Sequence, residues 1–551
     1  MIRLFVIFYF CVVLTVNAAD ITVTVSPNRL SPINPRIFGH FLERPSWETE
    51  FGIEDAVVEG THKLDPRVVK MLQDMEIPVL RFPGGTDVDY MDWSDMIDLP
   101  GREQRPVSIG NKGDTVTNRF GFDEFFELTE ELDCEAVIPI NFFDAYLKRQ
   151  PLRQAALKNV GLVAYCNAEV GQELPDGMRD WPAIRAENGH KEPFKFKYFQ
   201  IGNETFGLWQ WKKALLEEQG FDDPIGWYIE CATEYINMIL DIDPDIKIIA
   251  DFINPEHHAR FDAALGDKID YYVYHRYMPW AMNNDNVEKN GEPFPIADMT
   301  QADAWRGFVS TPGRFDDNGM AVARHRLIDL ARQQDFKIAV TEWNWNGWWG
   351  VSKEDRPLES LYAKSVGVAG FLHGFMRASD VIDMACQSML VGSIWNITGI
   401  RVDKQGEAEP YYFPAGQMTS FYGEYHGDYL LETEFDNIAT YEQPFRLASI
   451  PPSEKVAVVD VVATGSEDQL AIFMINRHFS DAQTVEFDLS QFDLAEAGEH
   501  IILTGALHDA AVNPPEETYL QKTVQPINVL SSGCSVQLPA RSVSVLKVHI
   551  K

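Results

Sequence analysis

From about residue 30 to residue 400 the chain alternates between two kinds of apolar spacing. Short runs rich in β-branched and aromatic residues are separated by longer stretches in which apolar residues recur every three or four positions. The first kind reads as strand and the second as amphipathic helix, and their regular alternation predicts parallel strands joined by crossover helices. Eight runs read as strands, at residues 37–42, 79–82, 136–141, 198–201, 246–251, 271–275, 338–342 and 381–387. The first helix announces itself through Asp65-Pro66, an N-cap followed by proline at the first helical position. Val68, Val69, Met71, Leu72 and Met75 then supply its apolar face. Residues 122–132, 225–240, 321–333 and 358–377 read as helices in the same way. Eight such units over this length predict an α/β fold of the (β/α)8 TIM-barrel type with long loops. A doubly wound open sheet is the alternative, but no glycine-rich phosphate fingerprint follows the first strand.

After about residue 415 the spacing changes. Short β runs at 456–462, 470–476, 484–489, 500–503, 535–538 and 543–550 are separated by turn-rich pieces such as Ala497-Gly498 and residues 512–515. This predicts a C-terminal all-β sandwich, to which residues 21–25 add a strand. The resulting division is a leader at 1–19, a strand segment at 20–35, a catalytic barrel at 36–414 and a sandwich at 415–551. The leader reading rests on Arg3, an apolar run at 4–14 too short to span a bilayer, and small residues at Val16-Asn17-Ala18-Ala19. It predicts a secreted or periplasmic protein.

Composition narrows the function. With 551 residues, 45% hydrophobic and 24% charged, the chain can bury large cores but not sit in a membrane. A formal net charge of −36 repels nucleic acid and anionic membranes and fits a neutral substrate better than a sulfated one. Beyond the leader, Cys134, Cys166, Cys231, Cys386 and Cys534 are scattered with no CxxC pair. That argues against a structural zinc site and a dense disulfide framework. No metal and no cofactor is expected; His257-His258 lacks further ligands and reads as a surface pair.

Barrel enzymes place their chemistry at the C-terminal ends of the strands. Strand four ends in Gly202-Asn203-Glu204 and strand seven in Thr341-Glu342-Trp343. Strand two carries Arg81 before Pro83-Gly84-Gly85, strand six ends in His275 with Tyr277 beyond it, and Glu43 follows strand one. Two carboxylates across one barrel are what glycoside hydrolysis requires, one to protonate the leaving oxygen and one to attack the anomeric carbon or activate water. A separation of roughly 5–5.5 Å would mean retention of configuration. Trp209, Trp211, Trp343, Trp345, Trp348 and Trp349 are dense near these ends, where sugar faces stack on aromatic rings.

These motifs resemble those of glycoside hydrolase family 51, the α-L-arabinofuranosidases, in a clan of (β/α)8 retaining glycosidases. The matches run in order: IFGHFLE at 37–43, LRFPGG at 80–85, TNRFGFDEF at 117–125, IGNE at 201–204, YHRY at 274–277, TEWNWN at 341–346 and LPARSVSVLKV at 538–548. The resemblance implies that Glu204 is the acid/base and Glu342 the nucleophile, that Asn203 binds the sugar 2-hydroxyl, and that Tyr277 orients the nucleophile. It further implies that Glu43, Arg81, His275, Trp343 and Gln387 contribute to the sugar site, that the partner is a carbohydrate, and that the protein forms homo-oligomers. The chain departs from the family at Thr86, where asparagine is usual, at Asp87-Val88-Asp89-Tyr90, where Phe-Val-Ser-Gly is usual, and at Arg44-Pro45-Ser46-Trp47. The expected activity is a retaining α-L-arabinofuranosidase acting on plant or algal glycans. A β-glycanase of the same clan, on xylan, glucan or galactan, is the alternative, and a non-catalytic carbohydrate-binding protein is a third. Asn203-Glu204-Thr205 also spells a glycosylation sequon, read as chance.

Overall fold

A computed structural model describes residues 21–45, 50–102, 117–205, 223–252, 254–310, 327–348, 351–352, 355–357, 361–404, 406–507 and 520–551. Eight parallel strands close into a barrel in chain order: Gly39–Phe41, Val79–Arg81, Glu135–Ile140, Tyr198–Ile201, Lys247–Asp251, Tyr271–Tyr277, Lys337–Asn344 and Ile382–Ser388. The eighth closes on the first, with Cys386 opposite Gly39. All eight barrel strands expected from the sequence are present, whereas the run at 456–462 is divided between strands Ser453–Ala457 and Val459–Gly465 of two different sheets.

Strand alternation sorts the side chains into two cores. Phe41, Val79, Val137, Tyr198, Ile249, Val273, Ala339, Met384 and Cys386 fill the barrel interior. Their neighbours Leu80, Phe199, Ile248, Tyr272, Val340 and Ala385 face the surrounding helices. Two residues above the apolar plug, the inward positions turn polar: Arg81, Gln200, Asp251 and His275. The barrel is therefore a packed plug with a polar floor laid on its C-terminal end.

Beyond the barrel, nine strands hydrogen-bond into one continuous sheet. Val485 and Val536, near one end of that order, share a core with Ile472 and Leu546 from nearer the other. The sheet is thus rolled over on itself into a two-layered sandwich. Strand Ile21–Pro32 enters it between Tyr429–Asp436 and Gln483–Asp488. Strand Gln469–Asn476 shows why its residues are nearly all apolar. Leu470, Ile472 and Met474 face the sandwich core, while Ala471, Phe473 and Ile475 face the barrel helices. Phe473 stacks on Tyr422 of helix Pro414–Tyr425 at 4.5 Å between centroids.

Several features differ from the sequence reading. Ala497-Gly498 is not a turn but lies inside strand Leu494–Gly505, at a register shift against the last strand. Strand Leu520–Asn528 escaped because it is the sheet's edge: seven of its residues are exposed, it carries Pro526, and no apolar face is needed. Helix Pro414–Tyr425, split by a boundary at 414/415, packs on helix Leu361–Arg377 and serves as the barrel's eighth helix. All five cysteines in the described residues are unpaired. His258 is not a surface residue: it is buried against Phe252, Tyr272 and Phe336. Among the described residues no helix is long and apolar enough to cross a membrane.

Because Phe473 joins the sheet to the barrel helices, Phe473→Ala should destabilise the fold by about 3–5 kcal/mol. Denaturant unfolding checks this; a loss below about 1 kcal/mol would mean the two cores are not mechanically joined there.

Candidate active site

Arg81 is the centre of the polar floor. Its side chain has no solvent exposure and lies over the Phe41 ring at 4.4 Å. Nη1 donates to Glu342 Oε2 at 3.1 Å, Nη2 to Asn203 Oδ1 at 2.6 Å and Nε to Gln200 Oε1 at 3.3 Å. One guanidinium therefore holds residues from strands two, four and seven. A buried cation needs such compensation, because removing its partners would leave a desolvated charge.

Glu342 reaches the interior through a bulge. On strand seven Ala339 points inward and Val340 outward. The pairing with strand six then shifts between Ala339 and Glu342, so that Glu342 sits opposite His275. One extra residue flips the alternation, bringing Glu342 inward and sending Trp343 outward. Tyr277 donates to Glu342 Oε1 at 2.5 Å and also meets Ser388 Oγ at 2.8 Å. Burial and the charge of Glu342 push the Tyr277 phenol well above its ordinary range, so it remains a donor. Gly85 comes so close that a Cβ there would lie 3.2 Å from Glu342 Oε2, which explains the glycine after strand two.

Glu204 lies in a tight turn at the end of strand four, with φ at +48° after Gly202 at +69°. Burial raises its carboxyl to about 7, against the lowering influence of Arg81. His275 Nδ1 is 3.0 Å from Glu204 Oε1 and Nε2 is 2.9 Å from Thr341 Oγ1. Burial pushes the imidazole to about 3, so the ring is neutral and acts as an oriented hydrogen-bonding group. Ligating atoms of Glu204, His275 and Glu342 all lie within 4.8 Å of one another, close enough for the two carboxylates to act on one anomeric centre.

Glu43 accepts from the Gly85 amide at 3.3 Å, and burial with the charges of Glu342 and Asp87 raises its carboxyl well above the usual range. Asn203 Nδ2 is buried without a partner among the described residues, beside the two glutamates. Such a donor is free for a sugar hydroxyl. Asn203 is 2% exposed and its side-chain oxygen is held by Arg81, so the folded site has no room for a glycan there.

The structure gathers Glu43, Arg81, Asn203, Glu204, His275, Tyr277 and Glu342 into one site, and it does not bring Trp343 or Gln387 there. Trp343 is buried outside the barrel wall against Phe371 and Phe375. Neighbouring positions on a strand face opposite ways, and the bulge gives the inward one to Glu342. Gln387 likewise points outward, accepting from Thr419 Oγ1 at 2.6 Å. Its neighbour Ser388 takes the inward place and holds Tyr277. Trp345 is also buried, against Phe308, and Trp348 is half-buried; Trp209, Trp211 and Trp349 lie outside the described residues. Gln200, Ser388, Asp89 and Asp251 are site-supporting residues that sequence reasoning missed. For Gln200 and Ser388 the signal was strand parity, two positions from the barrel plug.

A closed eight-stranded barrel carrying two glutamates of unlike environment at its C-terminal rim is the arrangement that glycoside hydrolysis requires. Comparison with known proteins makes the class specific. Residues 71–292 match the model of the α-L-arabinofuranosidase 1 domain, and residues 342–542 that of the α-L-arabinofuranosidase C-terminal domain. An intracellular exo-α-(1→5)-L-arabinofuranosidase of Halalkalibacterium halodurans is 23% identical over 86% of this chain and 88% of its own. α-L-Arabinofuranosidase C of Emericella nidulans is 26% identical over 83% and 84%. A solved family 51 α-L-arabinofuranosidase from Thermotoga petrophila superimposes with a TM-score of 0.70 at 25% identity, covering 96% of this chain and all of that one. Over most of its length the chain is thus similar to the α-L-arabinofuranosidases of glycoside hydrolase family 51.

Two expectations follow. An acid raised to about 7 loses its proton as pH rises past that value, so kcat/KM should fall above about pH 7. A pH–rate profile with its alkaline limb below pH 5 would contradict this. Ser388→Ala, which removes one partner of Tyr277, should lower kcat more than Gln387→Ala lowers it, as steady-state kinetics of both variants will show.

Proposed function

We propose that this glycoside hydrolase is an exo-acting α-L-arabinofuranosidase that works by double displacement. The observation that carries the reading is the unlike pair of glutamates. Glu342 lies against a guanidinium and a phenol, while Glu204 is held as a carboxylic acid by burial. Glu342 attacks the anomeric carbon as Glu204 gives its proton to the departing oxygen, forming a glycosyl–enzyme ester. Glu204, now a carboxylate, takes a proton from water, whose oxygen attacks the same carbon and releases Glu342. Asn203 Nδ2 meets the 2-hydroxyl during both steps, and the Arg81 contact aims Glu342.

Arabinose as the sugar is supported by the two matching domain models and by the names of the relatives. The alternative, a β-glycanase, drew on the altered segment at Thr86 and on the tryptophan-rich stretch after strand seven. With Trp343 and Trp345 buried, that stretch offers a smaller stacking surface than its composition implied. Secretion is supported by the leader reading of residues 1–19, which lie outside the described residues, and it sets this chain apart from a relative named as intracellular. N-terminal sequencing of the mature protein tests the cleavage.

The decisive test is release of 4-nitrophenol from its α-L-arabinofuranoside by the wild type and by Glu342→Gln. Turnover by the wild type, lower in the variant by several orders of magnitude, is expected. Wild-type turnover of β-xylosides or β-glucans without arabinoside turnover would move the reading to a β-glycanase. Inversion of the first-formed product, seen by NMR, would remove Glu342 as nucleophile.

A further inference from the structure

The turn that presents Glu204 is held from both sides by two carboxylates that do not belong to the reacting pair. Its backbone is unfavourable for a side-chain-bearing residue, since Glu204 sits in the left-handed region at φ +48°. Something must over-determine it. On one side Asp89, in the short helical turn Thr86–Tyr90, accepts the Asn203 amide at 3.2 Å and the amides of Phe142 and Phe143 at 2.7 and 3.2 Å. On the other side Asp251, at the end of strand five, accepts the Thr205 amide at 2.5 Å and the Thr205 hydroxyl at 2.7 Å. Tyr228 completes the Thr205 hydroxyl at 2.9 Å. Both carboxylates are buried, at 0% and 1% exposure. The residues on either side of Glu204 are thus each tied to a different barrel strand or its loop, and Glu204, whose carboxyl meets His275, stands between two fixed points.

We propose that Asp89 and Asp251 are positioning residues that clamp the acid/base turn, fixing the Glu204 carboxyl in line with the leaving oxygen without touching substrate. Asp89 accepts three backbone amides at once, which a single hydroxyl in its place could not do. Asp251 Oδ1 has no partner among the described residues, so its bonding is spent entirely on Thr205 through Oδ2.

The assignment rests on Glu204 being the acid/base, and its test separates acid function from general damage. A 2,4-dinitrophenyl leaving group needs no protonation, whereas a sugar leaving group does. Asp251→Ala should lower kcat/KM on an arabino-oligosaccharide by about a hundredfold, the usual worth of a misplaced general acid, while leaving the dinitrophenyl arabinoside nearly untouched. Asp89→Ala should show the same split. Asp251→Asn keeps an oxygen facing Thr205 and should restore the oligosaccharide rate. Equal losses on both substrates would overturn the proposal, since they would mean simple structural damage. Crystal structures decide the clamp whatever sugar the enzyme prefers. A Glu204 turn that relaxes out of the left-handed region in Asp251→Ala supports it. A turn unchanged in both alanine variants overturns it, even if the arabinoside reading itself has failed.

Discussion

Everything at the catalytic end of this barrel depends on one buried cation. Arg81 is cut off from water and must find all its compensation inside the protein. It does so through three acceptors on two other strands, and each of those contacts fixes a side chain of the site: the Glu342 carboxylate, the Asn203 side-chain amide and Gln200 beneath the Glu204 turn. Gln200 in turn donates to the Gly202 carbonyl at 3.1 Å, extending that hold to the turn itself. The guanidinium suits this place better than an ammonium would, because its planar fork can reach three partners at once. Positioning and charge compensation are therefore one interaction, and neither can be removed without the other.

The carboxylates around that cation divide by environment. Glu43, Asp89, Glu204 and Asp251 are all raised above their ordinary range, chiefly by burial. Only Glu342 has both a cation and a phenol donating to it. Glu43, Glu204, Asp251 and Glu342 all feel the one arginine, and four such groups could not all carry charge cheaply in a region of low dielectric. Burial favours the proton on Glu204, and a group that keeps its proton near neutrality is what an acid catalyst needs. The strongly negative chain as a whole, at −36, says nothing about this arrangement; local partners set it.

The fold was legible because barrel strands carry their own punctuation: an apolar run followed by a polar residue with a task. Glu204, His275 and Glu342 could each be read from that pattern, and Arg81 from the glycines after it. What escaped was parity. Ser388 and Gln387 are adjacent, yet one holds Tyr277 and the other a helix outside the barrel. Trp343 beside Glu342 failed for the same reason, compounded by a bulge that no composition announces. Counting by twos from the apolar plug would have favoured Ser388 over Gln387, since Cys386 and Met384 both face inward. The same count would have been misled at strand seven, where the extra residue lies.

Asp89 and Asp251 escaped for a deeper reason. Their work is to accept backbone amides, and an amide has no sequence signature. In a chain with 83 acidic residues, an aspartate after a strand looks like any solvated loop residue. Only the fold shows that the amides flanking Glu204 face these two carboxylates. The Glu204 turn depends on residues from strands two, four and five at once, and a strained turn can persist only where its surroundings leave no alternative. Strain of this kind has a use in catalysis: a carboxyl carried on a relaxed loop would spend part of each encounter out of line, whereas one on a clamped turn starts each encounter already in place. The short segment after strand two therefore does more than cap a strand: through Asp89 it fastens the turn that carries Glu204.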